Sequence, residues 1–142
     1  MYTLRTESEF DSAHFLSGYE GKCSNIHGHR WKVVAEVSAD KLVENGQERG
    51  MLVDFKTFKD ILKEETESMD HALIIERDTL GDTLYSMLCD KGIKIISLDF
   101  RPTAENLSKF FYDRLAERGL PVKEIHVYET PNNCAIYNGQ EE

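Results

Sequence analysis

Tyr2-Thr3-Leu4-Arg5-Thr6-Glu7-Ser8-Glu9-Phe10-Asp11-Ser12-Ala13-His14 opens the chain on a strict alternation. Tyr2, Leu4, Phe10 and His14 share one parity. Thr3, Arg5, Glu7, Glu9 and Asp11 fill the other. Successive strand side chains point to opposite faces, so period two predicts a strand with one buried face. A second stretch, from about His27 to Asp40, repeats the pattern. His27, His29, Trp31, Val33, Ala35, Val37 and Ala39 alternate with mostly polar residues, including Arg30, Lys32, Glu36 and Ser38. Gly18 and Gly21 mark the loop between the two stretches, and the arrangement predicts an antiparallel pair.

Further along, residues 44–50 are rich in turn formers. Asp54 is then placed to cap a helix on which Phe55, Phe58, Ile61 and Leu62 recur at helical spacing. Residues 69–75 read as a loop entering a short apolar run. Residues 81–91 read as a short helix with Leu84, Met87 and Leu88 as its apolar stripe. Ile93 to Leu98 reads as a short strand or an extended connection. Thr103 caps a clearer helix, with Glu105 in its first turn, and Gly119 and Pro121 end it. Two last strands fall near 122–129 and 134–138. This order, two strands, helices, two strands, is an α+β pattern with an antiparallel sheet.

Length and composition narrow the function. A chain of 142 residues predicts one domain spanning 1–142, with no repeat and no linker in view. A hydrophobic fraction of 40% is that of a globular protein. The net charge of −9 argues against nucleic acid or an anionic membrane as the main partner. Three Cys, an odd number, argue against a disulfide framework. The charged, alternating start reads as neither a signal peptide nor a membrane span, so the expected setting is cytoplasmic.

The chemistry concentrates in Cys23-Ser24-Asn25-Ile26-His27-Gly28-His29. His27 and His29 lie two apart and share a strand face. His14 ends the first strand on its buried parity, and a hairpin brings it beside them. One His on an apolar face is usually a core residue. Three converging imidazoles suit zinc, and an open fourth position makes such a site catalytic. Cys23 is either a fourth ligand or a thiolate base beside an open site. Asp70-His71 reads as a proton relay or as a loop entry with a capping Asp. Glu129 shares parity with Ile125 and Val127, and a carboxylate on an apolar face needs a partner. That partner is an ion pair or a ligand donating paired N–H groups. Cys89 and Cys134 read as thiols without chemistry, and His126 has the wrong parity for the site.

Taken in order, Phe10-Asp11-Ser12-Ala13-His14, Cys23-x₃-His27-Gly28-His29, Val53-Asp54-Phe55, Asp70-His71, Pro102-Thr103-Ala104-Glu105-Asn106 and Glu129-Thr130 form a specific set. On these motifs nearly the whole chain resembles the 6-pyruvoyl-tetrahydropterin synthase and 6-carboxy-tetrahydropterin synthase family. The short gap between Cys23 and His27 resembles the bacterial carboxy-pterin branch and points to queuosine (7-deazaguanine) biosynthesis. The resemblance implies the tunnelling fold, a four-stranded antiparallel sheet with two main helices in ββααββ order. It implies trimers that pair into hexamers, with sites at subunit interfaces. It also implies 7,8-dihydroneopterin triphosphate as substrate, with 6-carboxy-5,6,7,8-tetrahydropterin, acetaldehyde and triphosphate as products. Carried over residue by residue, His14, His27 and His29 hold Zn²⁺, Cys23 is the base, Asp70 and His71 relay protons, and Glu129 anchors the pterin.

Thr103 and Glu105 either touch the substrate or only cap their helix. Lys22, Arg30, Lys32, Lys56 and Arg101 are candidates for the triphosphate. Residues 76–101 run longer than in many bacterial relatives. Two other readings stand beside the carboxy-pterin one. The first is the pyruvoyl synthase, a triphosphate-eliminating lyase on the same substrate. The second is a non-catalytic, zinc-stabilised binding module.

Overall fold

The computed structural model describes residues 1–140. Strand β1 is Tyr2–His14 and β2 is His27–Ala39. Helix α1 (Phe55–Met69) leads to β3 (Ala72–Glu76), α2 (Asp82–Asp90) and β4 (Ile95–Leu98). Helix α3 (Ala104–Glu117) is followed by β5 (Val122–Thr130) and β6 (Asn133–Tyr137). The strands form one sheet in the order β4-β3-β1-β2-β5-β6.

The α+β class holds, with a correction: the sheet has six strands rather than four. It is mixed, because β3 runs parallel to β1 and β4 runs parallel to β3. The two added strands explain themselves physically. Ala72, Leu73, Ile74 and Ile75 are all buried, so β3 shows a continuous apolar run and no alternation. The expected antiparallel pair is present, and its register sets His14 opposite His27.

Helices α1 and α3 cover one face of the sheet. Phe58 and Leu62 of α1, and Leu107, Phe111 and Leu115 of α3, pack onto Phe10, Trp31, Val33, Ile125 and Val127. Phe10 and Trp31 stack across β1 and β2 at 6.0 Å. Asp54 and Thr103 cap the two helices as predicted, accepting from the backbone N–H groups of Lys56 and Asn106. The stripe of α2 departs from expectation. Leu84 and Met87 are exposed and no α2 residue is buried. Only Leu88 reaches a small separate cluster of Phe15, Leu73 and Ile75. No helix among the described residues is long and apolar enough to cross a membrane.

Candidate metal centre and its surroundings

The same parity that buries Phe10 and Trp31 carries His14, His27 and His29 to one end of the helix-covered face. The three rings gather at centroid distances of 4.5, 5.2 and 4.9 Å. Trp31 closes the floor, edge-on to His14 and His29. Strand β5 supplies the fourth member. Val127 pairs with Val33 and Tyr128 with Lys32, which sets Glu129 beside Trp31 and His29. Donor atoms of His14, His27, His29 and Glu129 all lie within 4.8 Å of one another.

The hydrogen bonds around this group fix its proton inventory. His14 Nδ1 lies 2.8 Å from the Pro102 carbonyl oxygen, and His27 Nδ1 lies 2.7 Å from that of Asn25. A carbonyl only accepts, so each Nδ1 carries the hydrogen and each neutral ring leaves a lone pair on Nε2. This is the arrangement in which imidazole binds a metal. The Nε2 atoms of His14 and His29 are buried without a hydrogen-bond partner. Glu129 Oε1 stands 3.3 and 3.0 Å from them. With its Nδ1 hydrogen spent on Pro102, a neutral His14 turns a lone pair toward that carboxylate oxygen, an arrangement that a metal ion between them would satisfy.

The electrostatics agree. Burial is the main cause holding the His29 pKa below its ordinary value. Contact with His14, ahead of the charges of His29 and His14, holds Glu129 low against its own partial burial. Both shifts favour the ligating forms, a neutral imidazole and an ionised carboxylate. Three imidazoles and one carboxylate are a donor set that fits zinc.

The other predicted residues surround this centre. Cys23 sits half-buried in a short turn, Lys22–Ser24, outside the donor group. The N–H of Leu16 donates to its carbonyl at 2.9 Å, folding the turn back on the end of β1. Asp70 and His71 follow α1, and His71 Nδ1 is 2.8 Å from Asp70 Oδ2. Asp11 clamps this pair: its N–H donates to Asp70 Oδ1 at 2.8 Å and its carbonyl accepts the His71 N–H at 2.7 Å. The Asp70 carboxyl is held below its ordinary pKa, first by that Asp11 N–H and then by His71.

A cleft of about 760 Å³ runs from His29 and Arg30 to His71 and Lys94. A second, of about 390 Å³, joins His29 and Glu129 to Arg30, Lys32 and Tyr128. Arg30 and Lys32 line these clefts from the strand face opposite His29, Arg30 paired with Asp11 and Glu9 and Lys32 over the Tyr128 ring. Lys56 pairs with Asp60 along α1, and Arg101 donates to the Ser17 carbonyl. Thr103 accepts the Asn106 N–H and acts as a cap, and Glu105 is exposed in the first turn of α3. Sequence reasoning missed the carbonyls of Pro102 and Asn25 and the backbone of Asp11. It also missed Lys94, whose ammonium donates to the carbonyls of Glu67 and Asp70.

Comparison with known proteins adds a family likeness. The family model described as 6-pyruvoyl tetrahydropterin synthase matches residues 3–140. The 6-carboxy-5,6,7,8-tetrahydropterin synthase of Haemophilus influenzae is 35% identical over 140 residues, covering 96% of this chain and 99% of that protein. The enzyme of the same name from Aquifex aeolicus is 37% identical over 129 residues, covering 82% and 75%. Among solved structures, an uncharacterised protein of Wolinella succinogenes superposes with a TM-score of 0.81 at 21% identity, covering 98% of both chains. The 6-pyruvoyl tetrahydropterin synthase of Plasmodium falciparum gives 0.68 at 18% identity, covering 96% of both. At such identities the structures speak for the shared fold alone.

Proposed function

Since the chain belongs to the 6-pyruvoyl tetrahydropterin synthase family, we propose that it is a zinc-dependent lyase of the carboxy-pterin branch. It takes 7,8-dihydroneopterin triphosphate and water to 6-carboxy-5,6,7,8-tetrahydropterin, acetaldehyde and triphosphate. The reading carries with it one domain over 1–142, a cytoplasmic homohexamer and a place in queuosine biosynthesis. It is supported by relatives of that name matching over nearly the full length. The observation that carries it is the gathering of His14, His27, His29 and Glu129 donor atoms within 4.8 Å, with the Nδ1 hydrogens of His14 and His27 spent on backbone carbonyls.

His14, His27 and His29 would hold the zinc, which supplies Lewis acidity to acidify a substrate hydroxyl and stabilise developing negative charge. Cys23, on its turn at the end of β1, is assigned the removal of a substrate proton. A thiol suits that task because its free pKa of about 8.5 is near neutrality and falls beside cations. Asp70 orients His71 through Nδ1, leaving Nε2 of an exposed ring to pass protons. Glu129 can accept paired N–H bonds from the amino-pyrimidinone edge of a pterin, as a carboxylate does from any planar double donor. Arg30 and Lys32, at the clefts, offer charge to the triphosphate.

A second reading rests on Glu129 itself. As a fourth protein donor it would close the metal site, as in a non-catalytic module. One experiment separates the readings: mass spectrometry of products from dihydroneopterin triphosphate incubated with zinc-loaded protein. Acetaldehyde with 6-carboxytetrahydropterin is the expected result. A 6-pyruvoyl product would assign the triphosphate-eliminating reaction instead, and no product would favour the module. Run in parallel, Cys23→Ala should keep its zinc and lose turnover, and loss of zinc in that variant would make Cys23 a ligand rather than the base.

A further inference from the structure

Cys23 lies on the connection between two of the candidate metal ligands. Residues 15–26 run from His14, the last of β1, to His27, the first of β2, and these two face each other in the register. Within the connection the bonds are local. The Leu16 N–H donates to the Cys23 carbonyl at 2.9 Å, and those of Tyr19, Ser24 and Asn25 donate to the carbonyls of Leu16, Gly21 and Lys22. Such bonds shape a loop without tying it to the body of the protein. Asn25 is bonded to its neighbour His27. Apart from that contact, the hydrogen bond that joins residues 16–25 to the rest of the fold, among the described residues, comes from Arg101. Its Nη2 donates to the Ser17 carbonyl at 2.6 Å.

Arg101 makes this bond from a fixed base. Its own carbonyl accepts the Thr103 N–H at 2.8 Å and the Asn106 side-chain amide at 2.9 Å, which fastens it to the start of α3. The next residue, Pro102, holds His14 Nδ1. Two consecutive residues therefore hold a candidate metal ligand and the connection that carries Cys23. A guanidinium donating to a carbonyl is charge-assisted and stronger than an ordinary main-chain bond. The loop also packs against the guanidinium, since a Cβ added at Gly18, where φ is 79°, would stand 3.6 Å from Arg101 Nη2. Ser17 adjoins Leu16, so what fixes Ser17 also fixes the residue bonded to Cys23. A reacting group displaced by about 1 Å can lose roughly a hundredfold in rate.

We propose that Arg101 is a positioning residue, whose bond to the Ser17 carbonyl holds Cys23 in place relative to the three-histidine centre. This role rests on Cys23 being the base of the reaction assigned above, so loop and reaction are read separately. Zinc-loaded parent protein, Arg101→Met and Arg101→Lys are compared by hydrogen–deuterium exchange, zinc content and steady-state turnover of dihydroneopterin triphosphate. Arg101→Met should keep its zinc and exchange several-fold faster over residues 16–25, with α3 unchanged. Its kcat should fall by about tenfold or more with KM little altered. Arg101→Lys, which retains a cationic donor, should recover much of both. Equal exchange over residues 16–25 in the parent and Arg101→Met overturns the proposal. Faster exchange with kcat intact also overturns it, as does a raised KM at unchanged kcat, which would return Arg101 to the triphosphate. A parent protein without turnover overturns the assigned reaction instead, and exchange alone then decides whether Arg101 holds the loop. Should circular dichroism show Arg101→Met unfolded, Arg101→Gln takes its place in the same comparison.

Discussion

His71 adopts a left-handed backbone, φ 52°, without being glycine. Such a conformation costs roughly 1–3 kcal/mol and persists only where the surroundings enforce it. Here Asp11 enforces it, taking the His71 N–H and giving its own N–H to Asp70. The carboxylate of Asp70 is therefore a structural element as well as the partner of His71. Its folded pKa lies below the ordinary value, so the unfolded chain binds the proton more readily. The stability it contributes is fully present above about pH 4 and is lost as pH falls through the lowered folded value. Asp70→Asn should consequently lower the urea midpoint at pH 7, and the gap to the parent protein should narrow as the pH is lowered below about 4. A gap of constant width through the acid range would show that shape, not charge, is at work. At this scale the sequence was legible where a side chain declares its chemistry. His14, His27 and His29 announce themselves by parity. The Pro102 carbonyl that sets the His14 tautomer does not, because every residue carries a carbonyl and only the fold chooses which one is used.

The elements that alternate, or that repeat at helical spacing with a cap, were readable: β1, β2, α1 and α3 fall where period and capping residues put them. Those buried on both faces, or on neither, were not. β3 lies between β1 and β4 and shows only apolar residues, which fit a loop's apolar exit as well as a strand. α2 has a stripe yet buries nothing, since only the small cluster around Leu73 and Ile75 lies beneath it. Thr103 joins element to site. It caps α3, and the preceding residue, Pro102, holds His14. If capping is its role, Thr103→Ala costs about 1 kcal/mol and Thr103→Asp restores it, as read by urea unfolding. An Asp variant as unstable as the Ala variant would contradict the cap and return Thr103 to the substrate.

At the scale of the whole molecule, the histidine centre lies where three stretches of chain end or turn. β1 ends at His14, β2 begins at His27, and β5 nears its end at Glu129, while the Pro102 carbonyl ties in the start of α3. A metal bound there would stitch the open ends of the central strands. None of this stitching exists in an unfolded chain, so metal binding is linked to folding. Free zinc at about a hundredfold excess over its dissociation constant adds roughly 2.7 kcal/mol. For a chain of this size that corresponds to about 10 °C in Tm. Chelation should therefore lower the melting temperature by that order, and restored zinc should recover it. His27→Ala is the fitting control, since His27 is only half-buried and its loss leaves the core intact. It should shrink the zinc response sharply while leaving the metal-free Tm nearly unchanged. An undiminished response in His27→Ala would mean that the stabilising metal sits elsewhere, and the three-histidine centre would lose its structural claim together with its chemical one.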